Sequence, residues 1–136
     1  MSTDQYSAFF SELEKIARAP IARAVEAFCK AHKLDPSKAI IVAGAAMHLH
    51  GLRPEVNDID LLHPDLPAFI KEHHGGFEID AGPGGDLPAS ARQSEIIGGL
   101  RVQTLPAILA FYQRLNRPKD QQRIAFLKGK LGVSRA

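Results

Sequence analysis

The run Ala39-Ile40-Ile41-Val42-Ala43 holds five consecutive apolar side chains, three of them β-branched. A strand sends alternate side chains to opposite faces, so a run that is apolar at every position reads as a strand covered on both sides. A chain that carries such a strand must place a layer above its sheet and another below it. At 136 residues and 45% hydrophobic content the sequence supplies one compact domain with a core of that kind, and leaves little room for a second.

The flanking pattern predicts the rest of the layers. Phe9, Leu13, Ile16 and Ala17 recur at helical spacing, and Pro20 opens a second helix with the stripe Ile21, Ala24, Val25 and Phe28. Gly44 breaks the apolar strand, Ala45 to His50 form a helix, and Gly51 ends it. Asp58 to His63 alternate acid and apolar and read as a second strand. Asp65 then caps a helix over Leu66 to His74 that stops at Gly75-Gly76, and Phe77 to Asp80 form a third strand. Ala81 to Ser90 is loop by composition. Gly98-Gly99 joins Glu95-Ile97 and Leu100-Gln103 as a hairpin. Pro106 and Pro118 open two last helices, with Ile108, Leu109, Tyr112 and Leu115 on one apolar face and Ile124, Leu127 and Leu131 on the other. The expected class is α/β (α+β): a mixed sheet over 37–104, flanked by helices over 1–36 and 105–136.

Several function classes are set aside by composition. Cys29 is the only cysteine, so there is no intrachain disulfide, and its place in a helical stripe reads as core. Met1 to Gln5 lack the layout of a signal peptide, and Ala39 to Met47 is too short to span a bilayer, so a cytoplasmic protein without membrane contact is expected. The net charge is +2, yet from Arg114 onward Arg114, Arg117, Lys119, Arg123, Lys128, Lys130 and Arg135 face a single acid, Asp120. That segment is either a solvated helix face or a contact for phosphate-bearing partners such as nucleic acid.

The chemistry concentrates at Asp58 and Asp60. One residue apart on a strand, both carboxylates leave the same face while Ile59 and Leu61 face the core. Acids that close repel unless a cation lies between them, and magnesium takes one or two carboxylates together with substrate phosphates. A solvated strand edge is the alternative for an isolated D-x-D. Gly44 just upstream lets a ligand approach the backbone, and the helix after it offers N–H groups to phosphate.

The stretch from Val42 to Gly51, followed by Asn57-Asp58-Ile59-Asp60-Leu61, resembles the nucleotidyltransferase superfamily. It is similar to the small bacterial branch found with abortive-infection and toxin–antitoxin systems. The resemblance implies Mg2+ or Mn2+ held by Asp58, Asp60 and a third acid, which falls on Asp80, with Asp86 as the alternative. It implies a nucleoside triphosphate bound by Gly44, Ala45, Arg53, Arg117 and Lys119, and transfer of its nucleoside monophosphate to a hydroxyl of RNA, protein or a small molecule. Arg117-Pro118-Lys119-Asp120 resembles a basic R-x-K-D segment near the C-terminus of such proteins. The chain departs from the pattern at Ala45, where Gly or Ser is usual, at Val56 in place of threonine, and at Tyr112 in place of lysine. Those departures keep a second expectation open, a binding module that retains the fold without turnover.

The histidines suggest no joint site. His48 and His50 are two apart and point differently on a helix, and His73-His74 read as solvated. His63 follows the acid strand but is not assigned to its site.

Overall fold

The computed structural model describes residues 20–84 and 87–132. The expected first helix over Phe9 to Ala17, the residues before Pro20, and Asp86 and Arg135 lie outside that range.

Helix α1 covers 20–31. A short 3-10 turn at Pro36–Lys38 follows, capped by Asp35, whose Oδ1 accepts from the Ser37 N–H at 2.9 Å. Strand β1 is Ile40–Val42 and helix α2 Ala43–Leu49. Strands β2 (Asp58–Leu62), β3 (Ile70–His74) and β4 (Phe77–Gly82) come next, then the single turn α3 (Ala89–Arg92), the hairpin β5 (Ser94–Ile97) and β6 (Leu100–Gln103), and helices α4 (Leu105–Leu115) and α5 (Gln121–Leu131). The six strands form one mixed sheet in the order β3-β4-β2-β1-β6-β5. β1 runs antiparallel to β2 and parallel to β6, and β2 runs parallel to β4.

The apolar run lies at the centre of this sheet, as the pattern predicts. Ile41, Ile59, Leu61, Ile79 and Val102 are essentially inaccessible on one face. α1 packs at that face through Phe28, whose ring meets His74 edge-on at 5.8 Å, and through His32, which bonds Glu72 at 2.8 Å. On the other face Gln103, fully buried, donates from Nε2 to the carbonyls of Ala91 at 2.7 Å and Ala107 at 3.3 Å, and its Oε1 accepts the Ala43 N–H at 3.1 Å. One side chain therefore ties α2, α3 and α4 to β6. These helices cover the β1–β6 half of the face and leave the β2–β4 half open.

Several expectations are corrected. The segment expected as a helix over Leu66 to His74 is instead the edge strand β3 from Ile70. Gly75 and Gly76 have φ of +57° and +87°, so they form the two-residue turn of a β3–β4 hairpin rather than a helix stop. Helix α2 begins at Ala43, two residues earlier than expected, and Ala43 takes left-handed backbone there at φ +54°. Leu115, expected on the apolar face of its helix, is 41% exposed. The expected loop after Asp80 is shortened as well, because β4 continues to Gly82.

Candidate functional site: a four-carboxylate array beside a cation-lined cavity

Strand register brings the acids together. Asp58 stands opposite Glu78 and Asp60 opposite Asp80 on the parallel pair β2–β4. Alternation along each strand aims all four carboxylates to the same face, the open one. The carboxylate oxygens of Asp58, Glu78 and Asp80 lie within 4.8 Å of one another, a grouping able to hold a metal ion. Glu78 is the member that the expected ligand set of Asp58, Asp60 and Asp80 leaves out. Its signal was the alternation Glu78-Ile79-Asp80, the counterpart of Asp58-Ile59-Asp60 on the neighbouring strand.

The array is electrostatically uneven. Burial pushes the Asp60 carboxyl up to about 6, with Asp80, Asp58 and Glu78 adding to the shift and Arg53 opposing it. Asp80 Oδ1 is buried with no hydrogen-bond partner among the described residues, and the Lys71 ammonium approaches it only to 3.8 Å. A buried anionic oxygen without a donor is costly. A divalent cation shared with Asp58 and Glu78 would satisfy it, so the donor set fits such an ion.

Cations surround the acids. A cavity of about 860 Å³ is lined by Asp58, Asp60 and Asp80 together with Gly44, Arg53, Lys71, Arg117, Lys119 and Arg123. Ala45 does not line it; that residue is fully buried in the core. Gly44 leaves room for the Arg53 guanidinium, which would have to move aside for a Cβ there. Arg53 thus occupies the space over the turn where phosphate was expected. His48 Nδ1 fixes the Arg53 loop by bonding the Arg53 carbonyl at 2.8 Å.

The R-x-K-D segment is an internal clamp. Arg117 donates to both oxygens of buried Asp120 at 2.8 and 2.9 Å, and Arg123 lies 3.5 Å from it. Arg117 and Arg123 holds the Asp120 carboxyl below its usual range, the Arg117 hydrogen bond foremost. Lys119, exposed, forms no ion pair among the described residues. Tyr112 is buried beneath Arg123, whose guanidinium carbon sits 5.5 Å from the ring centroid, so a cation reaches this wall from α5 rather than from position 112.

The histidines lie elsewhere. His63 is fully buried, donates from Nε2 to the Asp35 carbonyl at 2.9 Å and accepts the Asp65 N–H at Nδ1, which makes it a loop anchor. His50 bonds the Gln103 carbonyl at 2.8 Å and His48 bonds Arg53, so the two share no site.

Fold and site together define a mixed α/β protein with a carboxylate array at the floor of a cation-rimmed cavity. Comparison with protein-family models, curated proteins and solved structures returns no match. Among the described residues no helix is long and apolar enough to cross a membrane.

Proposed function

We propose that this protein is a metal-dependent nucleotidyltransferase, moving a nucleoside monophosphate from a triphosphate to a hydroxyl of RNA, protein or a small molecule. The observation that carries this reading is the facing of two acid pairs, Asp58–Glu78 and Asp60–Asp80, three of whose members line a cavity shared with Arg53, Lys71 and Lys119. Asp58, Glu78 and Asp80 would hold Mg2+ or Mn2+, with Asp60 beside them. Bound there, the ion would supply charge neutralisation for the phosphates and lower the pKa of an acceptor hydroxyl.

The chain's own residues supply the remaining parts. Asp60, beside the three ligands on the same face of the sheet, is placed to take the proton of the attacking hydroxyl. Arg53 and Lys119 offer charge to the triphosphate tail as pyrophosphate departs. Lys71, now 3.8 Å from Asp80 and 4.0 Å from Glu78, is freed for phosphate once a divalent ion takes those oxygens. Arg123, Lys128 and Lys130 of α5, with Lys119 before it, offer a path for a nucleic-acid acceptor.

The test is transfer from α-labelled triphosphates with Mg2+ or Mn2+ to cellular RNA, protein and small-molecule fractions. Label that appears with wild type and vanishes with Asp58→Asn supports the reading. No labelled product in any fraction, or equal labelling by Asp58→Asn, overturns it. A second reading, a nucleotide-binding module without turnover, is favoured by the Arg53 guanidinium standing over Gly44. It predicts magnesium-dependent triphosphate binding with no labelled product.

A further inference from the structure

Phe69 is 83% exposed, the most exposed large apolar side chain among the described residues, yet it lines the acid-bearing cavity. Its position is built rather than accidental. Ile70 pairs with Ala81 in the antiparallel β3–β4 ladder, which sets Phe69 across from Gly82. A Cβ on Gly82 would lie 2.5 and 2.8 Å from Phe69 Cε1 and Cδ1, so the ring rests on bare backbone. Contact with a cross-strand glycine accounts for one edge of the ring, Cδ1, Cε1 and Cζ. A face of the ring stays open to the cavity.

We propose that this open face is the stacking platform for the base of a nucleoside triphosphate, an inference that rests on the nucleotidyltransferase reading and names the subsite that reading lacks. Gly82 lies two residues beyond Asp80 on the same side of β4, which places the ring about 7 Å along the strand from the carboxylate array. A ribose linking a stacked base to a phosphate held at the acids spans a separation of that order. An aromatic face accepts any base because every base offers a π surface, so Phe69 contributes affinity without choosing among them.

The chain contains no tryptophan, so Phe69→Trp creates a single fluorescent reporter at the platform. Two probes separate the base from the phosphates: the α,β-methylene analogue of ATP, which resists cleavage, and inorganic tripolyphosphate, each titrated calorimetrically with magnesium. Wild type is expected to bind the nucleotide about tenfold more tightly than tripolyphosphate, within the range set by one stacked base. Phe69→Ala should lose that preference while binding tripolyphosphate as wild type does, Phe69→Tyr should retain it, and Phe69→Trp fluorescence should be quenched by the nucleotide alone. Tripolyphosphate binding with no nucleotide preference in wild type overturns the platform and leaves the phosphate site standing. A preference that survives Phe69→Ala, or a loss shared equally by both probes, also overturns it. Failure of both probes to bind wild type overturns the acid-cavity reading and the platform with it.

Discussion

Asp60 and Asp80 stand directly opposite one another on neighbouring parallel strands, two acids in a register position that sheets ordinarily fill with uncharged or oppositely charged pairs. The metal-free protein therefore carries a stability cost at this pair. Asp60 is raised from 3.8 to about 6, so between those values the folded state retains a proton that the unfolded chain has lost. Stability contributed by this group falls as pH rises through that window and stays low above it. Asp60→Asn should stabilise the metal-free protein at pH 7.5 by about 1–2 kcal/mol, a range discounted for solvent screening, and change little below pH 4. Urea denaturation at the two pH values checks it; equal effects at both would show that the charge is not the cause.

Divalent binding should reverse that cost. The ligands bind the ion as carboxylates, so affinity rises with pH as protons leave the array. Wild type should gain about 1.4 kcal/mol at a Mn2+ concentration ten times Kd. The gain should shrink markedly from pH 7.5 to pH 5 and be largely lost in Glu78→Gln, the acid contributed by β4 opposite Asp58. Thermal unfolding with and without the ion reads both effects. A Glu78→Gln protein stabilised as strongly as wild type would place the ion elsewhere.

A second pH effect has the opposite sign. Glu72 Oε1 accepts from His74 at 2.9 Å and His32 at 2.8 Å, joining β3 to the end of α1. These bonds, that of His74 first, hold the carboxyl below its ordinary 4.5. The resulting stability is present above the unfolded value and is lost as pH falls through the lower folded one. Glu72→Gln should flatten the acid side of the stability profile below pH 4.5 and leave the profile above pH 6 the same shape. Midpoints of urea unfolding between pH 3 and pH 7 measure it.

Gln103 shows where the sequence could and could not be read. Its strand and hairpin follow from Gly98-Gly99 and the apolar alternation of Leu100 and Val102, and the central strand follows from Ile40-Ile41-Val42. Local pattern suffices there because a two-residue turn and a buried strand are set by neighbours in sequence. Asp58 and Asp60 were legible for the same reason, since alternation alone puts them on one face. The pairing of β2 with β4 is not local, so alternation puts Glu78 on the face of Asp80 but cannot show that Asp58 stands opposite it. Gly75-Gly76 stops a helix or turns a hairpin equally well, and only the β4 partner decides it. The buried hydrogen bonds of Gln103 join residues 12 and 60 positions away, beyond any spacing rule. Gln103→Leu strands the Ala43 N–H and removes the Gln103 donor from the carbonyls of Ala91 and Ala107, and should destabilise the protein by about 2–4 kcal/mol in urea denaturation. A loss under 1 kcal/mol would mean those groups find water instead.

Gly44 and Arg53 supply the last test, because their contact is steric on one side and electrostatic on the other. A Cβ at Gly44 meets only the Arg53 guanidinium, the far end of a flexible side chain, so Gly44→Ala should fold with a stability change within about 1 kcal/mol. Arg53 must move, however, and it is the one cation that opposes the upward shift of Asp60. Triphosphate binding with magnesium should therefore weaken in Gly44→Ala and in Arg53→Ala alike. In the Arg53→Ala background the clash is gone, and Gly44→Ala should leave binding unchanged while gaining about 0.5–1 kcal/mol of stability from better helix propensity in α2. A double-mutant cycle in both stability and binding measures this coupling. Additive binding losses would mean that Gly44 contacts the ligand directly, and that its place in the cavity wall matters for more than seating Arg53.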